Sequence, residues 1–385
     1  MVVENAASVP ARKKVGFTSS NMLADWGLAA AVFAGVTAIR LFVVHLLADA
    51  KGIPLDRVLT RWDAVHYIGV ANGGYFENMD PNALDGYQAR LAFFPLFPLL
   101  LRTVREVTGL DFLGAALLVN AIAGTAMVAA VIAIARYMGA GTWGAAAAGV
   151  LLAGAPMSLT YNMPYTEALF AAFAYWALWA MLSHRWVLAG GLVFFTCLTR
   201  ITGVDLWLVF FIAVIVYALK DWRAWLGVVL SPLGMVAYLL FANSYTADVG
   251  GYFGLQEKGW GSAFDFGVAS LDFLSWAFNR NSDSWLIVVG LAMIVAALSV
   301  VLTFRKVPWL VWLFAAGVTA NVLLSDGTIT SRPRLLLPAI ICLLPLAIGA
   351  ARSFDRLRLA LLAVSWVVFG AVISVHPLIA TVWAI

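Results

Sequence analysis

Apolar runs close to the length of a bilayer crossing recur from residue 26 to the C-terminus, separated by short polar connections. They stand at 26–48, 112–135, 142–160, 166–183, 186–199, 204–219, 224–243, 285–304, 308–325, 335–351 and 358–377. A helix of about 20 residues crosses about 30 Å of hydrocarbon. The pattern therefore predicts an all-α fold, a polytopic integral membrane protein of about 11 transmembrane helices. Residues 1–25 read as a tail and 26–385 as a single transmembrane domain. Two connections, 48–111 and 244–284, are too long to be mere turns of a compact bundle and are expected to pack back on the membrane as a site. Within the first, FFPLFPLLLRTV is too short to span, because its helix would rise only about 18 Å. It suits an interfacial or re-entrant helix.

Composition reinforces the membrane assignment: 63% of the 385 residues are hydrophobic and 11% charged, far from the balance of a soluble domain. The first run carries Arg40 and His45, lacks a small-residue cleavage site and exceeds a signal core in length, so it reads as a retained helix. Cys197 and Cys342 both fall in apolar stretches, where thiols behave as small hydrophobes, and no disulfide is expected. The net charge of +4 does not argue for a nucleic-acid partner, since Lys and Arg in a membrane protein first fix orientation. Arg12, Lys13 and Lys14 put the tail in the cytoplasm. Alternation then makes cytoplasmic the connections holding Arg136, His184 with Arg185, Lys220 with Arg223, Arg305 with Lys306, and Arg352, Arg356 and Arg358. Every one is basic, as a multi-pass protein of the plasma or inner membrane with this orientation requires. Both long loops, and the site they form, are then external.

The sharpest polar cluster is RWDAVHY, Arg61 to Tyr67, followed by ANGGY. In a helix Asp63 shares a face with His66 and Tyr67, while Trp62 lies one turn below His66. Gly73 and Gly74 are placed to end that helix. Asp63 is a candidate general base for an acceptor hydroxyl, with His66 orienting it or binding a leaving phosphate. The competing structural reading is a capped interfacial helix anchored by Trp and Tyr at headgroup depth.

Arg61, Arg200, Arg332 and Arg334 are expected on the same side, where planar guanidinium donors suit a lipid-linked phosphate. Snorkelling to headgroups is the alternative, and of the pair flanking Pro333 one is expected to face the bundle and the other lipid. Glu167, in YNMPYTEALF, reads most simply as a charge on a helix N-terminus. Arg40 and His45 are placed to orient site groups from beneath. In YFGLQEKGWG, Gln256 and Trp260 stand four apart and suit hydrogen bonding to and stacking on a sugar, interfacial anchoring being the alternative. No metal-ligand spacing, phosphate loop or Rossmann glycine pattern occurs, which argues against a nucleotide-binding enzyme. External carboxylates such as Asp80, Asp85 and Glu257 leave a divalent cation open.

RWDAVHY, ANGGY, FFPLFPLL, TEALF and RPRLLLP, in that order, resemble the family of the second mannosyltransferase of GPI-anchor assembly (PIG-V-like), with its bacterial relatives, in the GT-C class of polytopic glycosyltransferases. The Gln256 and Trp260 segment looks like a further family feature. The chain lacks the lumenal insertions of a eukaryotic enzyme and reads as a prokaryotic member. The resemblance implies a GT-C-like fold and an inverting transferase that takes a sugar, mannose, from a polyprenyl-phosphate donor on the outer face. It implies a glycan, glycolipid or protein acceptor, no nucleotide, Asp63 as base, and arginines such as Arg200 or Arg332 offsetting charge on the departing phosphate. The rival from another class is a lipid or small-molecule transporter or flippase, marked by polar residues strung through several mid-spans and by paired broken helices. Here the polar residues gather at one face, which also gives a non-catalytic scaffold no reason for its acid, imidazole and arginines.

Overall fold

The computed structural model describes residues 19–76, 87–279, 283–381 and 383–385. Along the chain run α1 (Ser19–Asp49), α2 (Leu55–Leu59), α3 (Asp63–Gly73), α4 (Tyr87–Arg90), α5 (Leu96–Thr108), α6 (Phe112–Tyr137), α7 (Thr142–Ala153), α8 (Glu167–Leu182), α9 (Trp186–Thr199) and α10 (Gly203–Tyr217). There follow α11 (Trp222–Leu230), α12 (Leu233–Tyr245), α13 (Gly251–Trp260), α14 (Val268–Asn279), α15 (Ser284–Thr303), α16 (Trp309–Leu323), α17 (Arg332–Leu335), α18 (Leu344–Ser353) and α19 (Arg356–Ala380). Among the described residues no strand forms, and one isolated bridge joins Phe264 to Ser325.

Among the described residues, five helical stretches are long and apolar enough to cross a membrane: Met22–Asp49, Phe112–Tyr137, Trp222–Tyr245, Ser284–Thr303 and Arg356–Ala380. Ile329–Leu335 with Leu337–Ser353 makes a sixth, bent by 49°, and five shorter apolar helices complete eleven units at the positions of the eleven apolar runs. Three runs are less regular than their hydropathy suggests, and proline explains each, since it donates no amide and crowds the preceding turn. The run 142–160 breaks at Gly154–Pro156 into a 3-10 segment, Ser158–Asn162; that at 224–243 breaks at Pro232; that at 335–351 is interrupted around Pro338 and Pro345. Irregular backbone at membrane depth must be sheltered by protein. Ser158–Asn162 is buried throughout.

The core forms around α6 and α8, the latter buried over nearly all its length. Small residues let the helices approach closely where lipid gives no hydrophobic drive. At the crossing of α9 and α11, a Cβ on Gly190 would sit 2.9 Å from the Gly227 Cα, so the contact admits glycine. Both long connections carry helices: α5 is a 13-residue helix whose Phe97, Pro98 and Leu101 are buried, and α13 and α14 occupy the second.

Arg40 lies buried on α1 and fastens the 3-10 segment that leads into α8. Its Nε donates to Asn162 Oδ1 at 2.8 Å, and its Nη1 to Ser158 Oγ at 2.8 Å and to the Ala153 carbonyl at 2.6 Å. His45, one turn on, is exposed. Arg40→Met strips three buried acceptors of their donor and is expected to destabilise the fold by about 3 kcal/mol, read as a lowered thermal midpoint in detergent. An unchanged midpoint would show that the segment holds itself.

Candidate active site

The carboxylate of Asp63 is aimed by a strained turn. Arg61 and Trp62 precede the helix rather than opening it, because Trp62 has φ 57 and ψ −126, and α3 begins at Asp63. The expected helical pairing of Trp62 with His66 is therefore not formed. A bulky residue there costs about 1–3 kcal/mol and persists only if its surroundings enforce it. Tyr165 does so from both sides: its hydroxyl donates to the Arg61 carbonyl at 3.2 Å and accepts from the Asp63 amide at 3.2 Å. Arg61 adds a tie to the Leu378 carbonyl of α19 and lies over the Trp62 ring, 5.6 Å from its centroid. At the other end Gly74 (φ 77) closes α3, as ANGGY predicts.

Asp63 heads a chain of alternating charges. Arg334 Nη1 meets Asp63 Oδ2 at 2.5 Å, and its Nε lies 3.6 Å from Glu167 Oε1. Glu167 Oε1 also accepts from Arg200 Nη1 at 2.7 Å. The Arg334 guanidinium sits over the Tyr165 ring, 5.0 Å from the centroid. Two acids and two arginines thus neutralise one another where isolated charges would be costly. Glu167 opens α8 as expected, but it is 2% exposed and bridges two cations, which a mere helix-end charge does not do. Arg200 reaches it from a sharp α9–α10 turn, where Gly203 is required: a Cβ would lie 2.7 Å from the Cys197 Cα.

The chain faces a cavity of about 260 Å³, with Asp63, Tyr67, Arg200, Arg332 and Arg334 in its wall and Gln256 and Trp260 opposite. Neither Arg332 nor Arg334 turns to lipid: both are buried, a departure from the expected split, because the chain kinks through α17 instead of continuing as one helix face. Arg332 is held by neutral acceptors, donating to Ser270 Oγ at 2.7 Å and to the Ser325 carbonyl at 2.6 Å. Among the described residues no carboxylate forms an ion pair with it. Ser270 is delivered by α14, whose start is fixed by Asp265 accepting from the Ala269 and Gly267 amides; these bonds hold that carboxyl below its ordinary range. Gln256 Nε2 donates to the Tyr252 hydroxyl at 3.2 Å. Burial pushes the Tyr67 and Tyr252 phenols above their usual range, so both remain O–H groups at neutral pH.

Several sequence candidates stand back from the cavity. His66 stacks on Phe93, with centroids 4.7 Å apart, and Phe93 forms the wall. Arg61, Trp62 and Glu167 support the wall from behind. Asp80 and Asp85, and the tail residues Arg12, Lys13 and Lys14, lie outside the described residues. Glu257 is exposed, and among the described residues no group of three or more His, Cys, Asp or Glu gathers as a metal set. Cys197 and Cys342 are buried free thiols. Tyr165, Ser270 and Asn321 are site residues that sequence reasoning missed. The first had a signal, lying between Pro164 and the TEALF motif; Ser270 and Asn321 had none.

No family model matches the chain, and no curated protein matches it. Among solved structures, ArnT from Cupriavidus metallidurans, crystallised bound to undecaprenyl phosphate, aligns with a TM-score of 0.53 at 18% identity. The fold is GT-C-like. The alignment covers 84% of this chain and 60% of ArnT, so the chain spans under two thirds of that structure's length. What the alignment shows is a shared fold.

Glu167→Gln leaves the buried Arg334 and the half-buried Arg200 guanidinium groups short of a charge and is expected to cost about 3 kcal/mol of stability. Glu167→Gln with Arg200→Gln is expected to cost less than the two single changes added together, as a thermal double-mutant cycle reads it. Additive effects would mean the chain is not a coupled unit.

Proposed function

We propose that the protein is a GT-C type glycosyltransferase that moves a sugar from a polyprenyl-phosphate donor to an acceptor hydroxyl, with mannose the sugar that its sequence resemblance favours. The observation that carries this is a carboxylate in the wall of one cavity together with an arginine, Arg332, that among the described residues has no carboxylate within ion-pair distance. Asp63 has one oxygen engaged by Arg334, which orients the group, and its other oxygen is left to receive a proton. Arg332 is the cation best suited to a donor phosphate, since Arg200 and Arg334 are already neutralised.

In the proposed reaction the acceptor oxygen attacks the anomeric carbon while its proton passes to Asp63. The bond from that carbon to the phosphate oxygen breaks, its electron pair leaves with polyprenyl phosphate, and configuration inverts. Arg332 stabilises the charge gathering on the phosphate. Gln256, set by Tyr252, and the Trp260 indole suit the hydroxyl edge and the face of the sugar. Basic turns lie at the other end of the bundle from the cavity, which supports a cytoplasmic N-terminus and an active site on the non-cytoplasmic face. The crystallised ArnT complex with undecaprenyl phosphate supports the lipid class of the donor.

Purified protein in liposomes, given radiolabelled polyprenyl-phosphate mannose and candidate acceptors with and without chelator, tests this reading. Asp63→Asn is expected to lower transfer by roughly 10³-fold while donor still binds. Arg332→Ala is expected to weaken donor binding or phosphate departure by about 2–3 kcal/mol. Normal turnover in Asp63→Asn, or transfer from a nucleotide sugar alone, would reject it.

A further inference from the structure

A second cavity, of about 500 Å³, lies at the end of the bundle away from Asp63 and has no part in the proposed transfer. α16 runs from Trp309 in its wall to Asn321 in the first cavity, and α8 from Glu167 of the charge chain to Leu182 here, so the sites are separated by a helix length of about 20 Å. Its wall is built from the α8–α9 and α15–α16 turns.

Arg305 and Lys306 both line it, and among the described residues neither forms an ion pair. The described carboxylates of this end are committed elsewhere. Asp25 pairs with Arg136 at 2.9 Å and Asp355 with Arg358 at 3.2 Å, while Asp221 accepts from the Arg223 amide at 3.0 Å. Beside the cations, Trp309 Nε1 donates to the Tyr217 hydroxyl at 2.6 Å, and the His184 ring stands edge-on to Tyr217 with centroids 5.3 Å apart. Of five non-glycine residues with positive φ among those described, two lie on these turns: His184 at 55° and Arg305 at 63°. Glycine would close either turn without strain; an imidazole and a guanidinium occupy them instead. Met138, Met181 and Leu310 add an apolar lining.

We propose that this cavity binds the phosphate-bearing headgroup of an anionic phospholipid, with Arg305 and Lys306 meeting the phosphate. Basic pockets between helix ends suit such headgroups, and the Trp–Tyr pair suits headgroup depth. The methionine and leucine lining favours a lipid over a free anion, because it covers the apolar part of the ligand beyond its phosphate.

Native mass spectrometry of the full chain tests this, titrating phosphatidylglycerol, phosphatidylcholine or inorganic phosphate. Arg305→Asn with Lys306→Gln removes both cations, and Asn tolerates the left-handed backbone. Arg356→Gln with Arg358→Gln removes two cations of the same end outside the cavity and serves as control. We expect phosphatidylglycerol to bind in preference to phosphatidylcholine, the cavity variant to lose about tenfold in that affinity, the control to keep it, and inorganic phosphate not to displace the lipid. Equal loss in both variants would reduce the effect to general attraction, and displacement by inorganic phosphate would assign the cavity to a free anion; either overturns the proposal. Should the cavity variant fail to fold, His184→Asn must show a selective loss, and full retention there also overturns it.

Discussion

The constraint on which the site depends is the neutralisation of buried charge. Asp63, Arg334, Glu167 and Arg200 come from segments far apart in sequence; Glu167 and Arg334 are buried, and Asp63 and Arg200 half-buried. An isolated ion there would cost several kcal/mol. The lowest-energy arrangement is the one in which all four meet, which draws the first long loop, the start of α8, the α9–α10 turn and α17 to one point. The geometry of the proposed site and the stability of the fold are then set by the same contacts.

Around that chain the structure spends irregularity where it positions side chains. Trp62 sits in a backbone region that suits glycine, held by Tyr165 and by the tie from Arg61 to α19. The 3-10 segment ahead of α8 is pinned by Arg40, and α17 contains Pro333 and is followed by a 49° bend. Regular helices elsewhere supply the rigid frame. The proposed site is thereby tied to three departures from helical regularity: Trp62, the 3-10 segment and α17.

Much of this was legible in the sequence, for reasons that differ by level. The apolar runs coincide with helices because burial in lipid follows hydropathy directly. Their breaks at Pro156, Pro232 and Pro338 were less legible, since a proline in a membrane helix either kinks or ends it according to its neighbours. Asp63 stood out in RWDAVHY, where an acid stands among aromatic residues and an imidazole, and it does reach the cavity. Glu167 read as an ordinary helix-start charge because its partners Arg200 and Arg334 lie 33 and 167 positions away. The inward turn of both Arg332 and Arg334 was hidden because a long straight helix would put residues two apart on different faces, whereas α17 is one turn between a 3-10 segment and a 49° bend. His66, close to Asp63 in the chain, was drawn by ring stacking onto Phe93.

The central claim is that the cavity beside Asp63 receives a lipid phosphate on Arg332. A structure of the full chain determined with undecaprenyl phosphate added would test it most directly. The account predicts the phosphate within hydrogen-bonding distance of the Arg332 guanidinium, in the cavity that Asp63 lines. A phosphate bound away from that cavity, with Arg332 still held only by Ser270 and Ser325, would contradict it.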